Sequence, residues 1–449
     1  MTIQAGPQTK EMAQPVKKRE IFGWAMYDFA NSAYTTVVIT IVYSAFFVNY
    51  LVPEGAEWQD SYWSIAIVIS TVLAMLLAPI TGILCDFSGR KKIFLGITTL
   101  LCALFTAMLG LVNPGQIWLG ILIVVISNTA WMLGEVFCAS FLTDIANQQN
   151  MGKISGIGWG VGYVGALISL IIALKVVITA DPDTETTTFI SQNQLAMVFT
   201  GLFFLLAALP TFLLVKERSR PQPGFETIHF PTLLKASMKR LAHTWTIVHQ
   251  LPILFQFFLV FLLYMAGIEI IVKFFGIYVE AELKFTTAEK TNIFLALQIS
   301  ALFGAIAFGY LESAIGPKKT IFLSLVWWIG GTLAIYFLRP VTEFLSISIT
   351  SYFTAVALMT GAGLGATQSA SRAIVGLLSP KKYSAELFGF WGFFAKGATI
   401  LGSLSYSLVA DTMGRESGLL VIVGFFALGA ITILLVPLER GLKMAREEE

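Results

Sequence analysis

The sequence predicts an all-α membrane protein, with twelve transmembrane helices in two pseudo-symmetric six-helix bundles. Three observations carry this. The 449 residues are 56% hydrophobic and only 12% charged, with 36 Phe; so few charges cannot cover a soluble globule. Apolar runs of about 18 residues or more, long enough to cross about 30 Å of hydrocarbon, recur along the whole chain. A short segment repeats at about half the chain length. The net charge of +2 gives no sign of a nucleic-acid partner, and the placement of the charges is more telling.

In order, spans are expected at 21–51, 61–86, 92–112, 116–146, 154–179, 193–215, 252–280, 289–312, 319–338, 343–372, 384–410 and 417–437. The polar, basic segment 1–20 is not followed by a short apolar region and a small-residue cleavage site. The first span is therefore expected to stay in place and direct insertion. With the N-terminus inside, 21 of the 29 Lys and Arg fall on the cytoplasmic side, among them Arg90-Lys91-Lys92, Lys318-Lys319 and Lys381-Lys382. Four fall on the other side (Lys284, Lys290, Arg339 and Arg415). That alternation is the positive-inside pattern and places both termini in the cytoplasm. It divides the chain into bundles at 21–215 and 252–437, a linker at 216–251 and a tail at 438–449. Within the linker, Leu234, Met238, Leu241, Trp245 and Val248 share one helical face, either an interfacial amphipathic helix or a soluble linker helix.

The repeat is "TGILCDFSGRKKIFLG" before span 3 and "FGYLESAIGPKKTIFLS" before span 9. Gly82, Gly89 and Lys91-Lys92 align with Gly309, Gly316 and Lys318-Lys319. Six spans plus six, each set starting on the same side, are parallel repeats, in which solute binds between the halves near the midplane. The first copy resembles the loop motif of the major facilitator superfamily, G-x-L-x-D-x-x-G-R-[RK]-[RK]. Gly82 permits close packing and Gly89 a tight turn. Asp86 is expected to cap or pair with a neighbouring helix end as part of a gate. Arg90, Lys91 and Lys92 are expected to hold the loop at the anionic leaflet. In the second copy Ser313 replaces the acid and Glu312 stands one position early, so a latch there is weaker or differently built.

Four further segments resemble the vacuole-effluxer-like family: "GWAMYDFANSAY", "SGIGWGVGYVGALISL", "GATQSASR" and "AELFGFWGFFAKGATILG". The resemblance implies a twelve-span secondary transporter with amino acids as the substrate class, in the cell membrane (a bacterial inner membrane). It also marks Tyr27 and Lys396 as positions within family motifs. The family's acidic cluster early in span 7 is absent: Tyr264 and Gly267 remain, but Met265 and Ala266 replace the polar pair. Cys138, Ala139 and Thr143 likewise replace a Tyr-Asn and a Pro near the end of span 4.

A charge at the centre of a span costs about 2.5–3.5 kcal/mol on insertion scales, so ionisable residues there are candidate functional groups. Trp24, Asp28, Asn31, Ser32 and Thr35 fall within about 100° of one helical face. Asp28 either meets solute or protons, or pairs with a neighbouring helix. Glu135, one turn from Trp131, is a proton site or a structural hydrogen-bonding group. Glu269 and Lys273 stand at i, i+4, either as an intrahelical ion pair or as contacts for a zwitterion. Gln368 and Arg372 lie one turn apart, and Asp144 is the expected acidic partner of Arg372. Lys396 binds a solute carboxylate or pairs between helices. The glycines of span 5 and the small residues of span 8 read as packing seams.

No span holds a histidine, and Cys85, Cys102 and Cys138 show no ligand spacing. No metal or cofactor is expected, and no hydrolase constellation or phosphate-binding loop is visible. The expected function is alternating-access transport of a small polar solute by a monomer, with protons as the coupling ion. A sugar, organic-acid or drug carrier, a ligand sensor and a lipid-handling protein are the alternatives.

Overall fold

The computed structural model describes residues 16–53, 59–181, 184–222, 251–281, 283–285 and 287–447. Among these, twelve helices are long and apolar enough to cross a membrane. In the first half they are α1 (Lys18–Leu51), α2 (Gln59–Ser88), α3 (Lys91–Leu111), α4 (Ile117–Ile145), α5 (Met151–Val177) and α6 (Thr186–Leu214). In the second they are α7 (Pro252–Ala281), α8 (Thr287–Ile315), α9 (Pro317–Tyr336), α10 (Ile349–Leu378), α11 (Ser384–Met413) and α12 (Arg415–Leu435). The tail forms a further helix, α13 (Leu438–Glu447). The amphipathic segment expected at 234–248 lies outside the described residues.

Each helix lies close to its expected span; α6 begins seven residues early, and α10 is displaced by six residues at both ends. A short helix, Leu338–Leu345, takes up the start of the expected span. Ser348 then caps α10 by accepting from the Ser351 N–H, and a capping hydroxyl of this kind sets where a helix begins. Because α10 continues to Leu378, Arg372 lies inside the helix rather than at its end.

One packing pattern is used twice. In the first half α1 packs on α5 and α6, α2 on α4, and α3 on α4 and α6. In the second half α7 packs on α11 and α12, α8 on α10, and α9 on α10 and α12. The halves meet through α5 against α8 and α10, and through α11 against α2 and α4. Glycine allows the closest of these crossings. A Cβ on Gly156 would lie 2.5 Å from the Ala305 carbonyl oxygen, and one on Gly389 would lie 2.5 Å from that of Ala78. The repeated loop supplies matching turns, with Gly89 at φ +61° between α2 and α3 and Gly316 at φ +86° between α8 and α9. L-residues with side chains avoid such angles. Both turns lie on one face of the bundle, called the basic face below for its Lys and Arg.

The first helix is irregular at its centre and at its far end. Tyr34–Ile41 and Phe47–Leu51 form wider, π-type turns. Thr40 Oγ1 donates to the Thr35 carbonyl at 2.9 Å, a five-residue reach that matches the wider turn. Such turns are common at functional sites because they re-aim side chains.

Candidate functional site

A cavity of about 420 Å³ lies between the halves. Its polar lining from the first half is Asn31, Ser32, Thr35, Thr36 and Thr40 of α1, Glu135 of α4 and Tyr163 of α5. From the second half come Glu269, Tyr278, Gln298, Thr332, Thr360, Gln368, Lys396 and Tyr406. Four tryptophans also line it, Trp131, Trp159, Trp328 and Trp391. A concave, mainly apolar chamber with a few convergent polar groups is the usual form of a small-molecule site. Most of the lining residues lie in the middle of their helices or toward the face opposite the basic one, with Trp159 and Trp391 nearest the basic face.

Toward the basic face the cavity is closed by side chains that join the halves. Arg372 of α10 pairs with Asp28 of α1 at 2.9 Å. Its Nε donates to Ser155 Oγ at 3.1 Å and its Nη2 to the Ser155 carbonyl at 2.9 Å. The guanidinium also lies over the rings of Trp24 and Trp159, at 4.7 and 5.4 Å. Gly158 makes room for this group, since a Cβ there would lie 2.5 Å from Asp28 Oδ2. Trp24 is held from behind by its Nε1, which donates to the Cys138 carbonyl at 2.8 Å. The polar stripe of α1 is therefore divided: Asn31, Ser32 and Thr35 face the cavity, while Trp24 and Asp28 build the closure beneath it.

Nearer the basic face, Asp86 at the end of α2 accepts from the Ala385 and Glu386 backbone N–H groups, at 3.1 and 2.7 Å. These are orphan donors of the first turn of α11, so the carboxylate caps a helix of the other half. Gly82 allows the approach, because a Cβ there would lie 2.4 Å from the Ala385 carbonyl oxygen.

Several expectations need correction. Asp144 does not pair with Arg372. It pairs with Lys91 at 2.8 Å, because it stands at the end of α4 while Arg372 lies deeper. Lys91 is fully buried and also donates to the Ser140 carbonyl at 3.2 Å, so it does not reach the leaflet. Lys92 turns inward too, donating through Nζ to the Phe212 carbonyl at 2.9 Å; Arg90 alone of the triplet stays exposed. Glu269 and Lys273 form no ion pair among the described residues. Glu269 accepts from Thr399 Oγ1 at 2.8 Å, and Lys273 is exposed and does not line the cavity. Tyr27 and Tyr264 are core residues rather than cavity groups. Tyr27 sits among Thr99, Gly134 and Phe204, and Tyr264 shares a hydrogen bond with Ser371 at 2.7 Å.

Glu135 and Lys396 do line the cavity, from opposite halves, and neither makes a hydrogen bond or ion pair with a described residue. Lys396 Nζ lies 5.9 Å over the ring of Trp131, whose Nε1 donates to the Asn31 carbonyl at 3.1 Å. The sequence reading missed Thr36, Trp159, Tyr163, Gln298, Trp328 and Trp391 as lining residues. None of these side chains carries a charge, so they lack the large insertion cost that marks Glu135 or Lys396.

Comparison with known proteins agrees with this architecture. The family model described as vacuole effluxer Atg22 like matches residues 50–446. An uncharacterised transporter of the major facilitator superfamily type from Bacillus subtilis, YxiO, is 27% identical over 429 residues, 95% of this chain and 96% of that one. Autophagy-related protein 22-1 of Neosartorya fischeri is 23% identical over 303 residues, 64% of this chain and 48% of the fungal one. Among solved structures, the proton:xylose symporter XylE superposes with a TM-score of 0.72 at 10% identity, covering 94% of this chain and 96% of its own. That likeness carries the major facilitator fold.

Proposed function

The chain belongs to the vacuole effluxer Atg22-like family of major facilitator transporters, and from that premise we propose that it exports amino acids by proton-coupled alternating access. The observation that carries the reading is the pair Glu135 and Lys396, opposite charges facing one cavity from opposite halves with no other ionic partner. Buried charges need partners. A zwitterion supplies both at once, its ammonium toward Glu135 and its carboxylate toward Lys396. Bound in this way it ties the halves together at the midplane.

The basic face is the cytoplasmic one in this proposal, by the positive-inside pattern. The structure is then closed to the cytoplasm. Opening on that side requires Arg372 to leave Asp28 and Ser155, and Asp86 to leave the first turn of α11. A proton on Asp28 removes the charge that holds Arg372, which links the opening to protons. The transporter works as a monomer in the cell membrane.

Proteoliposomes offered each of the twenty L-amino acids, with and without a pH gradient, test the proposal. At least one should move, and the gradient should drive it. Glu135→Gln and Lys396→Gln should each abolish uptake of that amino acid. If Asp28→Asn keeps full gradient-driven flux, the coupling role is wrong. If no amino acid moves, the substrate class is wrong.

A further inference from the structure

The four cavity tryptophans differ in one respect. Trp131 donates its indole N–H to the Asn31 carbonyl, and Trp328 donates to Thr367 Oγ1 at 3.1 Å. Trp159 and Trp391 also bury their Nε1 atoms, but these have no hydrogen-bond partner among the described residues. A buried donor without a partner is uncommon and destabilises the state that contains it.

The two orphans also stand on helices that occupy equivalent places in the two halves. Each is followed by glycine, as Trp159-Gly160 on α5 and Trp391-Gly392 on α11. These helices begin at Met151 and Ser384 on the basic face. At 1.5 Å per residue the tryptophans lie about 12 and 10 Å inside them, at the closed end of the cavity. Each stands on a crossing helix. Trp159 packs against a cluster of Tyr163 with Ala301 and Ala305 of α8, and lies under Arg372 of α10. On α11, Trp391 packs against Phe261 of α7 and Phe388 of its own helix, while Gly389 and Gly392 beside it meet Ala78 of α2 and Val136 of α4. Both tryptophans thus stand beside the interface that separates when the halves part on the basic side.

We propose that Trp159 and Trp391 form a second, exit-side subsite, in which one indole N–H from each half binds the carboxylate or carbonyl oxygens of the departing solute. In the closed state both donors are covered. When the halves part, the seam beside the two indoles widens and both donors face the opening. The solute then moves from the Glu135–Lys396 level to donors that were unsatisfied before it arrived, which favours opening. The proposal rests on the alternating-access reading above, and its tests are chosen so that the two fail separately.

The first test measures the half-saturation concentration of whichever L-amino acid the unsubstituted transporter moves, presented from each side of the membrane in turn. Trp159→Phe and Trp391→Phe should each raise it about tenfold from the basic side, the worth of one hydrogen bond. From the opposite side they should change it less than about twofold. Trp131→Phe and Trp328→Phe should show no such sidedness. Equal effects from both sides, or none, would overturn the subsite.

The second test needs no solute and decides the matter if no amino acid moves. Deuterium exchange of the four indole N–H groups is compared between the unsubstituted protein and the Asp28→Asn/Arg372→Gln double variant, which unties the closure while leaving no buried charge behind. The N–H groups of Trp159 and Trp391 should exchange faster in the double variant, while those of Trp131 and Trp328 keep their rates. If Trp159 and Trp391 are not accelerated, the donors do not become accessible and the proposal fails.

Discussion

The two places where the halves cross on the basic face share a backbone design and differ in chemistry. At the α2–α11 crossing the Asp86 carboxylate accepts from two N–H groups of the first turn of α11. At the α8–α5 crossing the Glu312 carboxylate reaches the first turn of α5, where a Cβ on Gly152 would lie 2.3 Å from its Cδ. Yet Glu312 is buried and its Oε2 has no hydrogen-bond partner among the described residues. On that side the halves are instead held deeper and beside the crossing, by Arg372 of α10 on Asp28 of α1 and Ser155 of α5. Duplication thus preserved the geometry of a helix end meeting a helix start. The job of latching went to a cap on one side and to a buried ion pair on the other. A transporter with unlike latches can release them one after the other instead of together.

The largest effect is expected where the comparison is most unequal. Arg372→Gln leaves Asp28 buried without its cation, a loss of about 3–5 kcal/mol, read as a large fall in thermal stability in detergent. Asp28→Asn/Arg372→Gln should recover a good part of it, because the orphaned charge is gone. A double variant no more stable than Arg372→Gln alone would show that packing rather than the ion pair holds this crossing.

The glycines sharpen the comparison next. In Gly82→Ala the new methyl meets backbone, the Ala385 carbonyl oxygen at 2.4 Å, and backbone cannot step aside. A loss of about 1–3 kcal/mol is expected, the usual cost of overpacking. In Gly152→Ala the atoms nearest the methyl are the end of the Glu312 side chain, which can rotate away, so the loss should be under about 1 kcal/mol. Equal losses in thermal unfolding would mean that the α8–α5 crossing is as rigid as its counterpart.

These contrasts mark the limit of what could be read from the chain beforehand. Helix number, the six-plus-six repeat and the turn glycines were legible, because hydrophobic length and φ > 0 at Gly89 and Gly316 are local properties. The polar stripe of α1 was legible as a stripe, since its members share one helix. Partners on different helices were not. Asp144 and Asp28 were both available acids for Arg372, and only the depth of Arg372 within α10 decides between them. Lys91 looked like a leaflet anchor beside Arg90, and its burial against Ser140 and Asp144 has no local sign. The orphan indoles of Trp159 and Trp391 were invisible for the same reason: an unsatisfied donor is defined by neighbours that come from other helices.

The smallest expected effect tests the latch chemistry itself. Asp86→Asn removes the charge from a cap that serves two N–H groups and leaves a single amide oxygen to accept from them. A loss of about 1 kcal/mol is expected, typical of a weakened N-cap. The change should also favour the state open on the basic face, seen as faster labelling of a cysteine placed at Ser384. For Glu312→Gln two terms oppose each other. The negative charge near the start of α5 gains about 0.3–1 kcal/mol from the helix dipole, whereas its unpartnered oxygen costs about 1–3 kcal/mol. Removing the charge should therefore leave stability unchanged or raise it slightly, and labelling of the basic face should not quicken. If Glu312→Gln instead loses as much as Asp86→Asn and quickens labelling equally, Glu312 is a working cap and the two crossings are latched alike.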